Sequence, residues 1–201
     1  MYNLIEKLNR VKDSRYRNSS YSIGVVLTIV LMATIGGYTG YRSIGYFTKR
    51  YKKELLEFFE LETERLPSYS TIRRVLMRVD SLEIIKIYEE WISASWDKKS
   101  GTWISIDGKA IRGTKDKDQK MIQLVSMFRH DSKEVVSLKQ CEDKSNEIPI
   151  VRELVKESNF ENMVFTLDAM HTQAETIEVI KDSGNDAVIQ LKKTKKYSLN
   201  W

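Results

Sequence analysis

The period of the apolar positions changes halfway along the chain. Through the first hundred residues, apolar side chains recur at three- and four-residue spacing, the repeat of helices packed on one face. "IGVVLTIVLMATI" (23–35) is apolar all round, with Ser20 or Ser22 placed to cap it and Gly36-Gly37 to end it. Ile44, Phe47 and Tyr51 predict a second helix, and Leu55, Leu56, Phe58 and Phe59 in "KKELLEFFELE" a third. Pro67 breaks the pattern. "SYSTIRRVLMRVD" then predicts a helix with Ile72, Val75, Leu76 and Val79 inward and Arg73, Arg74 and Arg78 outward. A last helix is predicted over about 82–96, from Ile84, Ile85, Tyr88, Trp91 and Ile92.

The second half reads as short strands. "TWISIDG", "MIQLVSMF", "EVVSLKQC", "MVFTLDAM" and "DAVIQLK" are rich in Val, Ile and Phe and bounded by polar residues or Gly. "NEIPIVRELVKES" is helical, with Asn146 as a cap and Pro149 tolerated in the first turn. "TQAETIEVIKDSG" is helical and stops at Gly184. The order is β-β-β-α-β-α-β: an antiparallel meander, then crossovers to parallel strands. The expectation is a helical domain over residues 1–98 and a mixed α+β or α/β domain over 99–201.

Charge divides the chain at the same place. The net charge is +5. Residues 1–100 hold 17 Lys and Arg against 12 Asp and Glu, whereas 101–201 hold 16 against 16. The whole excess lies in the helical half, which points to a polyanion, nucleic acid foremost. A single cysteine, Cys141, excludes an internal disulfide framework and points to a reducing, intracellular setting. The apolar run at 23–35 is too short to span a bilayer, which takes about 20 residues, so it is expected to be a core helix and no membrane partner is expected.

Two carboxylates interrupt apolar strands. Asp107 lies in "WISIDGKAIRG" and Asp168 in "VFTLDAM". Asp before Gly is also an ordinary turn pair, so Asp107 alone says little. If the first and fourth strands are adjacent, however, the two carboxylates face each other and repel. Protonation of one acid, pairing with cations, or a divalent ion such as Mg²⁺ or Mn²⁺ would relieve that, and the last supports phosphoryl transfer. Lys109 and Arg112 follow the first acid closely enough to meet phosphates. His171, near a helix start, could contact DNA or a leaving group but is read as structural, as is Glu147, an acid suited to a helix start.

"WISIDGKAIRGT", "IQLVSMF", "EDKSNEIPIVRELV" and "VFTLDAMHTQ" together resemble the insertion-sequence transposases that include the H-repeat-associated proteins. "RYRNSSYSIGVVLTIVLMATIGGYTGYRSIGYFTKRY" and "LPSYSTIRRVLMRVD" resemble the domain that precedes their catalytic core. The resemblance implies an RNase H-like DDE catalytic domain and metal-dependent cleavage of phosphodiester bonds at transposon ends, followed by strand transfer. Asp107 and Asp168 fall on its first two acids, with Mg²⁺ or Mn²⁺ as cofactor. Transposon and target DNA would be the partners, bound in the cytoplasm at the nucleoid. A homo-oligomer is expected of the intact protein.

The family's third acid, usually Glu, sits on a later helix. No acid follows Asp186, and the tail "LKKTKKYSLNW" departs from the family pattern. The expectation is an N-terminal fragment or decayed copy with impaired catalysis. The alternative is a non-catalytic DNA-binding or regulatory remnant. An unrelated carboxylate-metal phosphatase or nuclease fits the strands but not the helical half.

Overall fold

The computed structural model describes residues 2–15, 19–61, 63–93, 100–114, 121–141 and 147–191, in two compact units, Met1–Trp91 and Ile92–Trp201. The first unit is helical: α1 (Tyr2–Leu8), α2 (Ile23–Ile35), α3 (Tyr41–Arg50), α4 (Lys52–Phe58), α5 (Tyr69–Leu76) and α6 (Ser81–Ser93). The apolar run is the middle of this unit. Ser22 caps α2 by accepting from the Val25 N–H, and Val26, Ile29 and Ala33 have no exposed surface. Around α2 lie Leu4 and Leu8 of α1, Ile44 and Phe47 of α3, Leu55 of α4, Ile72 and Val75 of α5 and Ile87 of α6. Each such side chain contributes about 1.5–3 kcal/mol by leaving water. A segment apolar on every side suits a helix wrapped by others.

One helix and one boundary go beyond the sequence reading. α1 is not among the predicted helices, and Leu4 and Leu8 give it a buried side. Helix α5 ends at Leu76, with Met77 as its C-cap, so Arg78 and Val79 lie in the following turn. The predicted end of α6, residues 94–96, lies outside the described residues, as do Asn146 and the tail from 192 onward.

Gly45 is required for α3 to meet α5. A Cβ there would come within 2.6 Å of the Tyr69 Cβ and 3.1 Å of its Cα, so only hydrogen lets the two helices approach.

The second unit is a five-stranded mixed sheet, β1 (Trp103–Ala110), β2 (Gln123–Arg129), β3 (Glu134–Cys141), β4 (Val164–Leu167) and β5 (Asp186–Ile189), in the order β3-β2-β1-β4-β5. β1, β2 and β3 form the antiparallel meander; β4 is parallel to β1 and β5 to β4. This is the mixed sheet expected from the order of elements. α7 (Glu147–Ser158) leads into β4 and α8 (Ala174–Asp182) into β5.

Alternation explains the core. Ile104, Ile106, Val125, Met127, Phe165 and Leu167 are buried and share one face of the sheet. α7 contributes Val151, Leu154 and Val155 to the core, and α8 contributes Ile180. Lys139 of β3 reaches Glu153 and Glu157 of α7 at 2.8 and 2.9 Å. Arg152 of α7 donates to Thr176 and Gln173 and pairs with Glu175, which ties α7 to α8. These contacts tie the middle and end of α7 to β3 and α8.

Candidate carboxylate site and basic face

The parallel ladder between β1 and β4 pairs Trp103 with Val164, Ile104 with Phe165, Ser105 with Thr166 and Ile106 with Leu167. Asp107 follows Ile106, and Asp168 follows Leu167. The two acids therefore occupy the next equivalent position on neighbouring strands. Asp168 is one residue past β4 rather than on it, but its backbone is still extended, at φ −70° and ψ 160°. Alternation sends both carboxylates away from the face that buries Ile106 and Leu167. Both residues are exposed.

Adjacent strands lie about 4.8 Å apart. Two carboxylates about 5 Å apart repel by roughly 1 kcal/mol in bulk water and roughly 3 kcal/mol at an effective dielectric of 20. Among the described residues no group of three or more His, Cys, Asp and Glu converges to hold a metal. Mg²⁺ is commonly held by one or two carboxylates, keeping several waters for the remaining positions. The chemistry of this donor pair fits such an ion.

Asp168 is held in place by its own turn. Its Oδ1 accepts from the Ala169 N–H at 2.6 Å, and its carbonyl accepts from the His171 N–H at 3.0 Å. His171 is 1% exposed; its Nε2 lies 3.3 Å from Glu147 Oε1, and its Nδ1 is buried without a hydrogen-bond partner. Glu147, the first residue of α7, also covers Gly108. A Cβ on Gly108 would fall 2.4 Å from the Glu147 Cδ. One carboxylate thus touches both the neighbour of Asp107 and the turn that carries Asp168.

The sequence reading placed Glu147 at a helix start, as observed, and His171 near one, whereas His171 ends the 3₁₀ turn Ala169–His171 ahead of α8; that the two meet was missed. The available signal was Gly108: a glycine within a strand marks a close approach by another group. Lys109 is exposed and, two residues after Asp107, shares its face. Arg112 opens a short 3₁₀ turn, Arg112–Thr114, and its side chain is outside the described set. Arg73, Arg74 and Arg78 are all exposed, and they belong to the helical unit. Among the described residues no helix is long and apolar enough to cross a membrane.

Residues 5–92 match the model of the DDE_Tnp_1-associated family. The "Putative transposase YncI" of Escherichia coli O157:H7 is 29% identical over 192 residues, covering 94% of this chain and 49% of YncI. The "H repeat-associated putative transposase YhhI" of Escherichia coli K12 is 25% identical, covering 95% of this chain and 51% of YhhI. The chain spans about half the length of these two relatives. A solved piggyBac transposase synaptic complex with hairpin DNA aligns at a TM-score of 0.46 and 11% identity, over 97% of this chain and 48% of that one. Residues 5–92 resemble the transposase-associated family, and over nearly its whole length the chain is similar to insertion-sequence transposases of the H repeat-associated group.

Proposed function

We propose that the chain is the DNA-end-handling part of an insertion-sequence transposase. Its mixed sheet presents the first two catalytic carboxylates, and its helical unit binds DNA. The observation that carries this reading is the shared register of Asp107 and Asp168 on parallel neighbouring strands.

Asp107 and Asp168 would hold Mg²⁺ or Mn²⁺, which supplies charge to activate a water or 3′-hydroxyl and to stabilise the oxygen leaving phosphorus. The chain's own residues do the placing. The β1–β4 ladder sets the spacing of the two carboxylates. The Asp168 turn, braced by His171 and Glu147, fixes the second one. Lys109, on the same face, and Arg112 meet the phosphates flanking the scissile bond. Arg73, Arg74 and Arg78 bind the DNA backbone outside it. Transposon ends and target DNA are the substrates.

The test measures Mn²⁺ binding by electron paramagnetic resonance, together with cleavage of a plasmid carrying the element's ends. Asp107→Asn and Asp168→Asn each abolish metal binding by this chain, and any cleavage goes with it. Unchanged Mn²⁺ affinity in both variants would remove the carboxylate assignment.

A second reading is favoured by one observation: the exposed arginines of α5 lie in a unit that holds neither acid. In that reading the chain binds DNA and regulates an intact relative without cutting. DNA affinity is then the same with and without the two Asp→Asn changes.

A further inference from the structure

The three arginines that sequence periodicity groups on α5 do not share one site. Arg73 borders a depression with Tyr41, Arg42 and Tyr69. Arg74 and Arg78 face the other way, into a pocket walled by the segment between α1 and α2, which contributes Ser14, Arg15 and Tyr21, and by Thr71 of α5.

Arg15 is the unusual member. Its side chain is only 13% exposed, and its guanidinium is fixed on two sides. Nε and Nη2 donate to Asp13 at 2.9 and 2.7 Å, and Nη2 also donates to the Tyr21 carbonyl at 3.1 Å. The guanidinium carbon lies 5.5 Å from the centre of the Tyr21 ring. The remaining nitrogen, Nη1, is buried and, among the described residues, has no hydrogen-bond partner. A buried charged donor left unpaired is costly, so its persistence calls for an acceptor. Asp13 neutralises one of the three arginines. Two positive charges remain, beside the hydroxyls of Ser14 and Thr71.

We infer that this pocket is a phosphate site: Arg15, held by Asp13, lines one wall, Arg74 of α5 and Arg78 of the following turn close on the anion, and the bound group is a phosphodiester of the nucleic-acid backbone. Arginine's planar fork matches phosphate oxygens in pairs. Three guanidiniums on one pocket exceed what a carboxylate ligand needs. The inference rests on the nucleic-acid reading above and narrows it: Arg15 joins Arg74 and Arg78, and Arg73 belongs to a different contact.

The test compares the chain with the Arg74→Gln/Arg78→Gln double variant. Fluorescence anisotropy follows binding of a labelled duplex across a salt series, with circular dichroism to establish that the variant is folded. Each lost phosphate contact lowers the slope of log affinity against log salt by about 1. The double variant is expected to lose about 2 from that slope, and Arg73→Gln at most about 1. Pyrophosphate binding, measured by calorimetry, identifies the source of the phosphate. The expected result is weak pyrophosphate binding that is lost in the double variant and that competes with DNA. An unchanged slope with DNA still bound overturns the phosphate pocket and leaves the DNA reading standing. Pyrophosphate binding lost in the double variant, with no DNA bound even at low salt, overturns the nucleic-acid source and makes this a free-phosphate site. Binding of neither overturns both.

Discussion

The carboxylate of Glu147 fills the space above Gly108 that any side chain there would need. It also lies 3.3 Å from the buried His171 ring. An added methyl at 108 meets the far end of a flexible side chain, so the backbone need not move. What must give is the contact between Glu147 and His171. That strands a buried imidazole whose other nitrogen already lacks a partner. The expected cost of Gly108→Ala is about 1–2 kcal/mol, from the unsatisfied group. In a Glu147→Ala background the same change should cost little, because nothing is left to displace. Urea unfolding of the two single variants and the double measures this coupling. Additive effects would mean the two residues do not compete for one space.

The two acids at equivalent positions repel when no cation lies between them. Asp107→Asn is therefore expected to stabilise the metal-free chain slightly, by about 1 kcal/mol at low salt. The same variant should lose any Mg²⁺-induced rise in melting temperature. Thermal melts with and without Mg²⁺ read both effects. If Mg²⁺ raises the melting temperature of the variant as much as that of the wild type, the ion binds elsewhere.

Asp168 has a second role that separates two substitutions. Its Oδ1 accepts from the Ala169 N–H, as a cap does. Asp168→Asn keeps an oxygen there, whereas Asp168→Ala removes it. The alanine variant is expected to be less stable than the asparagine variant by about 1 kcal/mol. Denaturant melts of the pair check this, and equal stability would show that the cap contributes nothing.

Asp13 gives the pH dependence. The hydrogen bonds from Arg15 hold its carboxyl below the usual carboxylate range, although partial burial pushes the other way. A carboxyl lowered in the folded state binds fewer protons there than when unfolded. Its stabilisation is complete above the ordinary Asp value and is lost as pH falls through the lowered one. The wild type is thus expected to exceed Asp13→Asn in stability at pH 7, with the gap closing as pH falls through the acid range. Melts between pH 7 and pH 3 test it, and a gap independent of pH would assign the loss to packing.

Helix contact in the first unit can be tested at Gly45. Here a Cβ would strike the Cβ and backbone of Tyr69, which cannot swing aside. Gly45→Ala is expected to destabilise the chain by about 1–3 kcal/mol, the range for overpacking. Stability equal to wild type would mean that α3 and α5 can separate freely.

Much of this was legible in the residues. The 23–35 helix begins and ends where its cap and glycines place it. Glu134–Cys141 is a strand over the span its composition and polar borders predict. The adjacency of Asp107 and Asp168 entered the sequence reading as a condition on strand order, and the order β3-β2-β1-β4-β5 meets that condition. Contacts made at a distance were less visible. Nothing local says that Glu147 reaches Gly108 across the sheet, since α7 is set there by Lys139 and Arg152, which act from β3 and toward α8. Likewise, helical spacing groups Arg74 with Arg73. Their division depends on a segment near residue 15 that carries no periodic signal of its own.

The β1–β4 ladder has one more implication. Because side chains change face at every rung, displacing β4 along β1 by a single residue would turn the second acid to the underside of the sheet. An insertion in the loop before Val164 that let the strand slip would silence the chemistry while deleting none of its residues. The fidelity of strand alignment is as much a requirement for this centre as the identity of its acids.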